Sequence, residues 1–325
     1  MEYQIKILIL SFIIGMICTL IVIPIIRKKK IGQNERDDGP SSHLKKQGTP
    51  TMGGIAMMAA LIVISLVLFV DYKAKEPGMA KNLIVLVIAT VGFGIIGFVD
   101  DFKKVVLNNT EGLKPAYKML GLLVIATAFT IYLVSFLDLD TGIYLPFIKT
   151  EITLPVWIYI PFAIFVMLAT TNAINLTDGI DGLSTSVTTI ILTCLTVIGI
   201  IFGVKEIVLI GATLIGICLA FLIFNLHPAK IFMGDTGSLL LGGAVSVMAI
   251  YLQMPLLLVI IAIIPVLETV SDIIQVSHYK RTGKRIFKMA PLHHHFELSG
   301  WNENQVVALF SVVTLIACLI GLSAI

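Results

Sequence analysis

Ile95-Ile96-Gly97-Phe98-Val99-Asp100-Asp101-Phe102-Lys103-Lys104 decides the fold class. An unbroken apolar run ends on two carboxylates, and two cations follow. Charged groups beside lipid are costly, so acids at such a boundary are usually retained for a purpose. Reading outward, the same kind of boundary recurs. Asn175-Leu176-Thr177-Asp178-Gly179-Ile180-Asp181-Gly182 closes one apolar run, and Gly234-Asp235-Thr236-Gly237 opens another. If these acids face one side of a membrane, they form a single acidic site suited to a metal ion.

The composition agrees with a membrane setting. Of 325 residues 57% are hydrophobic and 13% charged, and the mean hydropathy is +0.99. A soluble domain carries about 25% charged residues. Spanning helices need about 20 apolar residues each, and the runs lack the alternation of a membrane barrel. The expected fold is therefore all-α and polytopic, one integral-membrane domain over 1–325. Ten transmembrane helices are expected, at 4–26, 52–70, 82–99, 119–137, 156–176, 183–202, 207–225, 237–253, 255–275 and 304–323. The first run is too long for a signal-peptide core and reads as a retained helix. Cys18, Cys194, Cys218 and Cys318 sit in apolar runs without CxxC spacing, as packing residues do.

Charge sets the expected orientation. Of the 23 lysines and arginines, seventeen fall in the loops after odd-numbered spans and five in the loops after even-numbered ones. Positive residues accumulate on the cytoplasmic side, so both termini are expected on the outer face and a cleft on the cytoplasmic side. All six histidines, with Asp100, Asp101, Asp178, Asp181 and Asp235, fall in the odd loops or at their edges. The longest outer loop, about 138–155, alternates weakly around Gly142 and Pro146, which predicts a small hairpin. No strong internal repeat is visible, which speaks against a transporter or flippase.

Each polar stretch has a plain alternative. Asp100-Asp101 either ends a helix in solvent or holds Mg²⁺ and takes a proton; a helix C-terminus disfavours anions, which favours function. Asn175 to Gly182 is either an ordinary turn or a ligand turn in which Asp178 and Asp181 face the same way and the glycines allow close approach. Asp235 and Ser238 either cap a helix or face a phosphate at its N-terminus. Phe232, between Lys230 and Gly234-Asp235, is placed to stack on a base. His293-His294-His295 lies in the most basic of the later loops. Three consecutive imidazoles in an extended strand suit phosphate oxygens or proton transfer better than one metal. Thr49 and Thr51 are either caps or, with the neighbouring lysines, part of an anion cradle. Glu268 and Asp272 share one helix face after Pro265, which is expected to kink the helix; their role is open.

Five stretches together resemble the phospho-N-acetylmuramoyl-pentapeptide transferases, members of the polyprenyl-phosphate N-acetylhexosamine-1-phosphate transferases. They are Gly48-Thr49-Pro50-Thr51-Met52-Gly53-Gly54, Gly97 to Asp101, Asn175 to Leu183, Phe232 to Ser238 and Met289 to Glu297. The resemblance implies transfer of phospho-MurNAc-pentapeptide from UDP-MurNAc-pentapeptide to undecaprenyl phosphate, giving lipid I and UMP. It also implies Mg²⁺, a homodimer, the bacterial cell membrane with its lipids, and no nucleic acid partner. A sister activity on UDP-N-acetylglucosamine is the nearest alternative.

Carried over residue by residue, the resemblance makes Asp235 the Mg²⁺ ligand. Asp100, Asp101, Asp235 and His293 become the catalytic groups, with Asp100 deprotonating or orienting the lipid phosphate. Lys46, Asn175, Asp178, Gly179, Asp181 and Phe232 form the nucleoside pocket, Asn225 lies near the cleft, and Thr51 is counted among the substrate-binding residues. Lys103 and Lys104 meet phosphate, and His294 and His295 join His293 at the sugar-phosphate. Both direct attack by the lipid phosphate and a two-step route through an aspartate fit these residues; direct attack is favoured, since a phosphate is already a competent nucleophile.

Overall fold

The computed structural model describes residues 2–28, 48–105, 107, 112–137 and 139–325. In chain order the elements are α1 (Glu2–Lys28), α2 (Gly54–Lys73), α3 (Pro77–Val105), α4 (Pro115–Phe136), β1 (Gly142–Leu145), β2 (Thr150–Thr153), α5 (Val156–Thr177), α6 (Leu183–Ile201), α7 (Lys205–Asn225) and α8 (Gly234–Tyr251). A 3-10 turn (Pro255–Leu257), α9 (Leu258–Ile261), α10 (Ile263–Thr282), α11 (Leu292–Glu297) and α12 (Glu303–Ser323) complete the chain. The expected hairpin is present, β1 pairing antiparallel with β2 through Gly142 opposite Thr153 and Leu145 opposite Thr150.

The bundle is built around α8, which is buried continuously from Thr236 to Ile250. Helices α2, α3, α5 and α6 pack around it. Lipid tails are as apolar as leucine, so association here depends on close packing of small residues. Two glycines bring the backbones together where the acids lie. A Cβ on Gly97 would stand 2.1 Å from the carbonyl oxygen of Asp235, and one on Gly54 would stand 2.1 Å from the Gly237 nitrogen. The outermost helix, α1, lies against α7 and leaves Ile5, Ile9, Ile13, Ile17 and Ile21 exposed at a spacing of four residues. That stripe is the face of a helix solvated by lipid.

Among the described residues, eight helices are long and apolar enough to cross a membrane, or nine if one bent pair counts as a single span. This is a multi-pass membrane protein. The expected span at 237–253 corresponds to α8, outside those eight. Its N-terminal end carries Gly234, Asp235, Thr236, Gly237 and Ser238, and neighbouring helices rather than lipid cover it. The expected span at 255–275 is two pieces, Pro255–Ile261 and Ile263–Thr282, bent by 83°. Pro265 has no N–H to offer the Ile261 carbonyl, so the break falls at Ala262, about one turn before the proline.

Polar contacts gather at the two ends of the bundle. One end carries Lys205–Glu76, Asn82 with Glu206 and Tyr251, and Tyr3–Asp71. Lys149 Nζ reaches the carbonyl of Ile325 there, so both termini lie at this end. The other end carries the acids singled out from the sequence.

Candidate active site

Asp100 and Asp235 meet at the end of α3 and the start of α8, across two shared lysines. Lys104 Nζ lies 2.6 Å from Asp100 Oδ2 and 2.8 Å from Asp235 Oδ2. Lys118 Nζ, from the first turn of α4, donates to the same Asp235 oxygen at 3.0 Å and lies 3.9 Å from Asp100 Oδ2. The second oxygen of Asp235 accepts from Asn175 Nδ2 at 2.8 Å, and that amide also reaches Ser238 Oγ at 2.7 Å. Asp100, only 2% exposed, takes the Leu113 N–H on Oδ1 at 2.6 Å. Two carboxylates are thus balanced by two ammonium groups. Buried charges persist only when paired and hydrogen-bonded in this way.

Asp101 has a different task from its neighbour. Its Oδ1 accepts the N–H of Asp235 at 3.0 Å, and its Oδ2 accepts the N–H and hydroxyl of Thr236 at 2.8 and 2.6 Å. It caps the N-terminus of α8 from another helix, where an anion satisfies otherwise unpaired N–H groups and the helix dipole. The sequence reading put both aspartates among the reacting groups. In the structure the oxygens of Asp101 take the backbone N–H groups of Asp235 and Thr236 and the Thr236 hydroxyl. Gly234 permits this fit: its φ is +69°, and a Cβ there would stand 2.6 Å from Asp101 Oδ2.

The other expected residues surround this centre in separate groups. Asp178 follows the last turn of α5 and makes no side-chain hydrogen bond among the described residues. Burial of its carboxyl, and then the nearby charges of Asp235, Asp101 and Asp181, lift it well above the usual carboxylate range. It is therefore disposed to hold a proton. Asp181, near enough for its charge to reach Asp178, has partners of its own. Its carboxylate meets His227 Nδ1 at 2.9 Å and the Ala229 N–H at 3.0 Å. Its own N–H donates to Glu303 Oε2 at 2.9 Å. Asn225 accepts from Thr185 Oγ1 at 2.9 Å and donates to the Ile231 carbonyl at 3.0 Å; it pins the loop that leads to Asp235.

Two segments lock together beside that loop. Phe232 N–H donates to the Pro50 carbonyl, and Gly53 N–H to the Phe232 carbonyl, both at 2.8 Å. Thr51 is buried in this pairing, and Phe232 is half-buried beside it. Lys46 lies outside the described residues. Lys103 is next to Lys104 on α3, where helical neighbours diverge by about 100°; of the two, Lys104 is the one seen to reach the acids among the described residues.

The three histidines go three ways, because the segment is the short helix α11 and not an extended strand. His293 is fully buried and places Nδ1 3.0 Å from Glu268 Oε2. His294 Nδ1 lies 2.9 Å from Glu297 Oε2. His295 accepts the Lys288 N–H at 3.1 Å and stays within its own loop.

Two places have donors for a cation. Asp100, Asp235 and the Asn175 carbonyl offer oxygen only, the set that Mg²⁺ prefers. Asp100 Oδ2 and Asp235 Oδ2 already grip one cation, Lys104, between them. These residues therefore fit a divalent ion. Asp181, His227 and Glu303 also bring ligand atoms within 4.8 Å of one another, the one such group of three found among the described residues. A mixed nitrogen and oxygen set suits Mg²⁺ less well than oxygen alone.

A family model described as glycosyl transferase family 4 matches residues 83–253, and the phospho-N-acetylmuramoyl-pentapeptide-transferase signature 1 matches residues 46–56. The chain is 46% identical over 317 residues to the phospho-N-acetylmuramoyl-pentapeptide-transferase of Clostridium botulinum (strain Eklund 17B / Type B), covering 98% of this chain and 95% of that protein. The protein of the same name from Clostridium perfringens (strain 13 / Type A) is 45% identical over 317 residues, covering 98% and 97%. The Acetivibrio thermocellus protein is 45% identical over 318 residues, covering 97% and 93%. This chain belongs to the phospho-N-acetylmuramoyl-pentapeptide-transferase family.

For a member of this family, the sequence left several partners unnamed. Lys118 is one of two lysines near the start of α4, and nothing local distinguishes it from Lys114. Thr236, Leu113 and His227 enter through contacts more than ten residues distant in sequence. Glu268 carried one usable signal, an acid within an apolar span, but its partner is 25 residues away.

Proposed function

We propose that this chain transfers phospho-MurNAc-pentapeptide from UDP-MurNAc-pentapeptide to undecaprenyl phosphate, releasing UMP and forming lipid I, the first membrane step of peptidoglycan synthesis. The observation that carries the reading is identity of about 46% over nearly the whole chain with transferases of that name. The acid–lysine centre supports it. Two lysines beside two carboxylates suit a reaction in which phosphate oxygens are held while another phosphate attacks.

In this reading the cleft opens on the cytoplasmic face of the cell membrane, and the whole chain acts as one domain within a homodimer. Asp235 and Asp100 would hold Mg²⁺, which would supply charge neutralisation for the diphosphate. Lys104 and Lys118 exchange their carboxylate contacts for phosphate oxygens. Asp100 orients the lipid phosphate. An oxygen of that phosphate then attacks the β-phosphorus. The new P–O bond forms as the bond to the bridging oxygen breaks, and the electron pair leaves with UMP. Asp101 keeps α8 in place throughout. Asn175, Asp178, Asp181 and Phe232 border the nucleoside, with Lys46 beside them, while His294 and Lys103 stand at the rim.

Purified protein in lipid should release UMP from UDP-MurNAc-pentapeptide only when undecaprenyl phosphate and Mg²⁺ are both present. UDP-N-acetylglucosamine should give less than about one hundredth of that rate, the discrimination available where a site is built to hydrogen-bond groups that the smaller donor lacks. Equal or faster use of UDP-N-acetylglucosamine would assign the sister activity instead.

A further inference from the structure

We propose that Glu268 is a positioning residue that works through His293, and that Nε2 of His293 is a hydrogen-bond acceptor for the nucleotide-sugar substrate. The proposal rests on the transferase reading above. Glu268 on α10 is 1% exposed and His293 on α11 is 0% exposed. The carboxylate grips the histidine twice. Oε1 accepts its backbone N–H at 3.2 Å, and Oε2 lies 3.0 Å from Nδ1. In this proposal the single ring proton sits on Nδ1, where the carboxylate accepts it. That leaves Nε2 as the free lone pair.

Nε2 is buried and has no hydrogen-bond partner among the described residues. Buried polar atoms are nearly always paired, so an orphan of this kind needs a reason. What covers it is Gly179, in the turn that also carries Asp178. A Cβ at that position would stand 2.0 Å from Nε2, so only glycine allows the ring to sit there. A small shift of this turn as the nucleotide sugar enters exposes Nε2 to a hydroxyl or amide N–H of the ligand. Glu268 keeps the ring from rotating and keeps its proton on the far nitrogen, so the acceptor is ready. This explains an acid buried in an apolar helix, where its pairing otherwise brings little stability.

His293→Asn separates this role from a structural one. Asparagine keeps an amide donor where Nδ1 stood, so Glu268 remains satisfied, but it has no atom equivalent to Nε2. Its kcat should fall about 10- to 100-fold, as should that of Glu268→Gln, the loss typical of removing an orienting partner. The melting temperature of His293→Asn should change by no more than about 4 °C. The double variant should be no slower than His293→Asn alone, because Glu268 acts only through the ring. Independently of turnover, ¹⁵N-histidine NMR of the detergent-solubilised chain should show His293 protonated on Nδ1, and Glu268→Gln should release that tautomer.

Near-wild-type turnover of His293→Asn would overturn the proposal. So would multiplicative losses in the double variant, or a proton on Nε2 in the wild-type spectrum. If the wild type released no UMP, the reaction assignment would fall while the NMR result still tested the Glu268–His293 pair.

Discussion

Asp235→Ala is expected to lower turnover about 1,000-fold or more with little change in fold. Its Oδ2 faces Lys104 and Lys118, and its Oδ1 takes Asn175. Removing it leaves two ammonium groups facing Asp100 alone, so the centre goes from balanced to positive. On the proposed reading it also removes an oxygen donor for the divalent ion. Charge stabilisation by such an ion is worth several kcal/mol, and about 4 kcal/mol corresponds to roughly three orders of magnitude in rate. Asn175 keeps Ser238 as a partner, and Lys104 keeps Asp100, so the structural loss is small. Initial rates of UMP release with saturating Mg²⁺, paired with a thermal melt, check this. A rate within tenfold of wild type would remove Asp235 from the reaction.

Asp101→Ala should lose activity for a different reason, which the melt reveals. Three donors, the N–H groups of Asp235 and Thr236 and the Thr236 hydroxyl, would be left at the buried start of α8 without their acceptor. Each orphaned donor costs about 1–3 kcal/mol, and the favourable anion at the helix N-terminus is lost as well. A net loss of about 3–5 kcal/mol is expected, lowering the melting temperature by roughly 5–10 °C. Asp235 would then shift with its helix, so turnover falls together with stability. Asp235→Ala should melt much closer to wild type. If Asp101→Ala melted like wild type yet were inactive, Asp101 would belong with the reacting groups.

Much of this arrangement was legible because lipid is a strict solvent. Apolar runs of spanning length stand out, and acids and histidines at their ends stand out further. The hairpin near Gly142 was visible from its alternation and turn residues. What was not legible depends on packing between distant segments. Asp100 and Asp101 look equivalent in sequence, but adjacent helical positions diverge, so one faces the lysines and the other the end of α8. Asp178 and Asp181 look alike on their turn, and nothing local names His227 and the Ala229 N–H as the partners of the Asp181 carboxylate. The histidine run gave no sign of the short helix that gives each ring its own partner. The glycine of Gly97 was visible within its motif, but only the neighbouring Asp235 carbonyl explains it.

The central claim is that Asp100 and Asp235 form the place where a divalent ion touches the substrate diphosphate. Pulsed EPR with Mn²⁺ in place of Mg²⁺ and UDP-MurNAc-pentapeptide present tests it most directly. The wild-type protein is expected to bind one Mn²⁺ with resolved ³¹P coupling, and Asp235→Ala to lose both the bound ion and the coupling. Unchanged ³¹P coupling in Asp235→Ala, or its loss on replacing Asp181 while Asp235 is intact, would contradict the account.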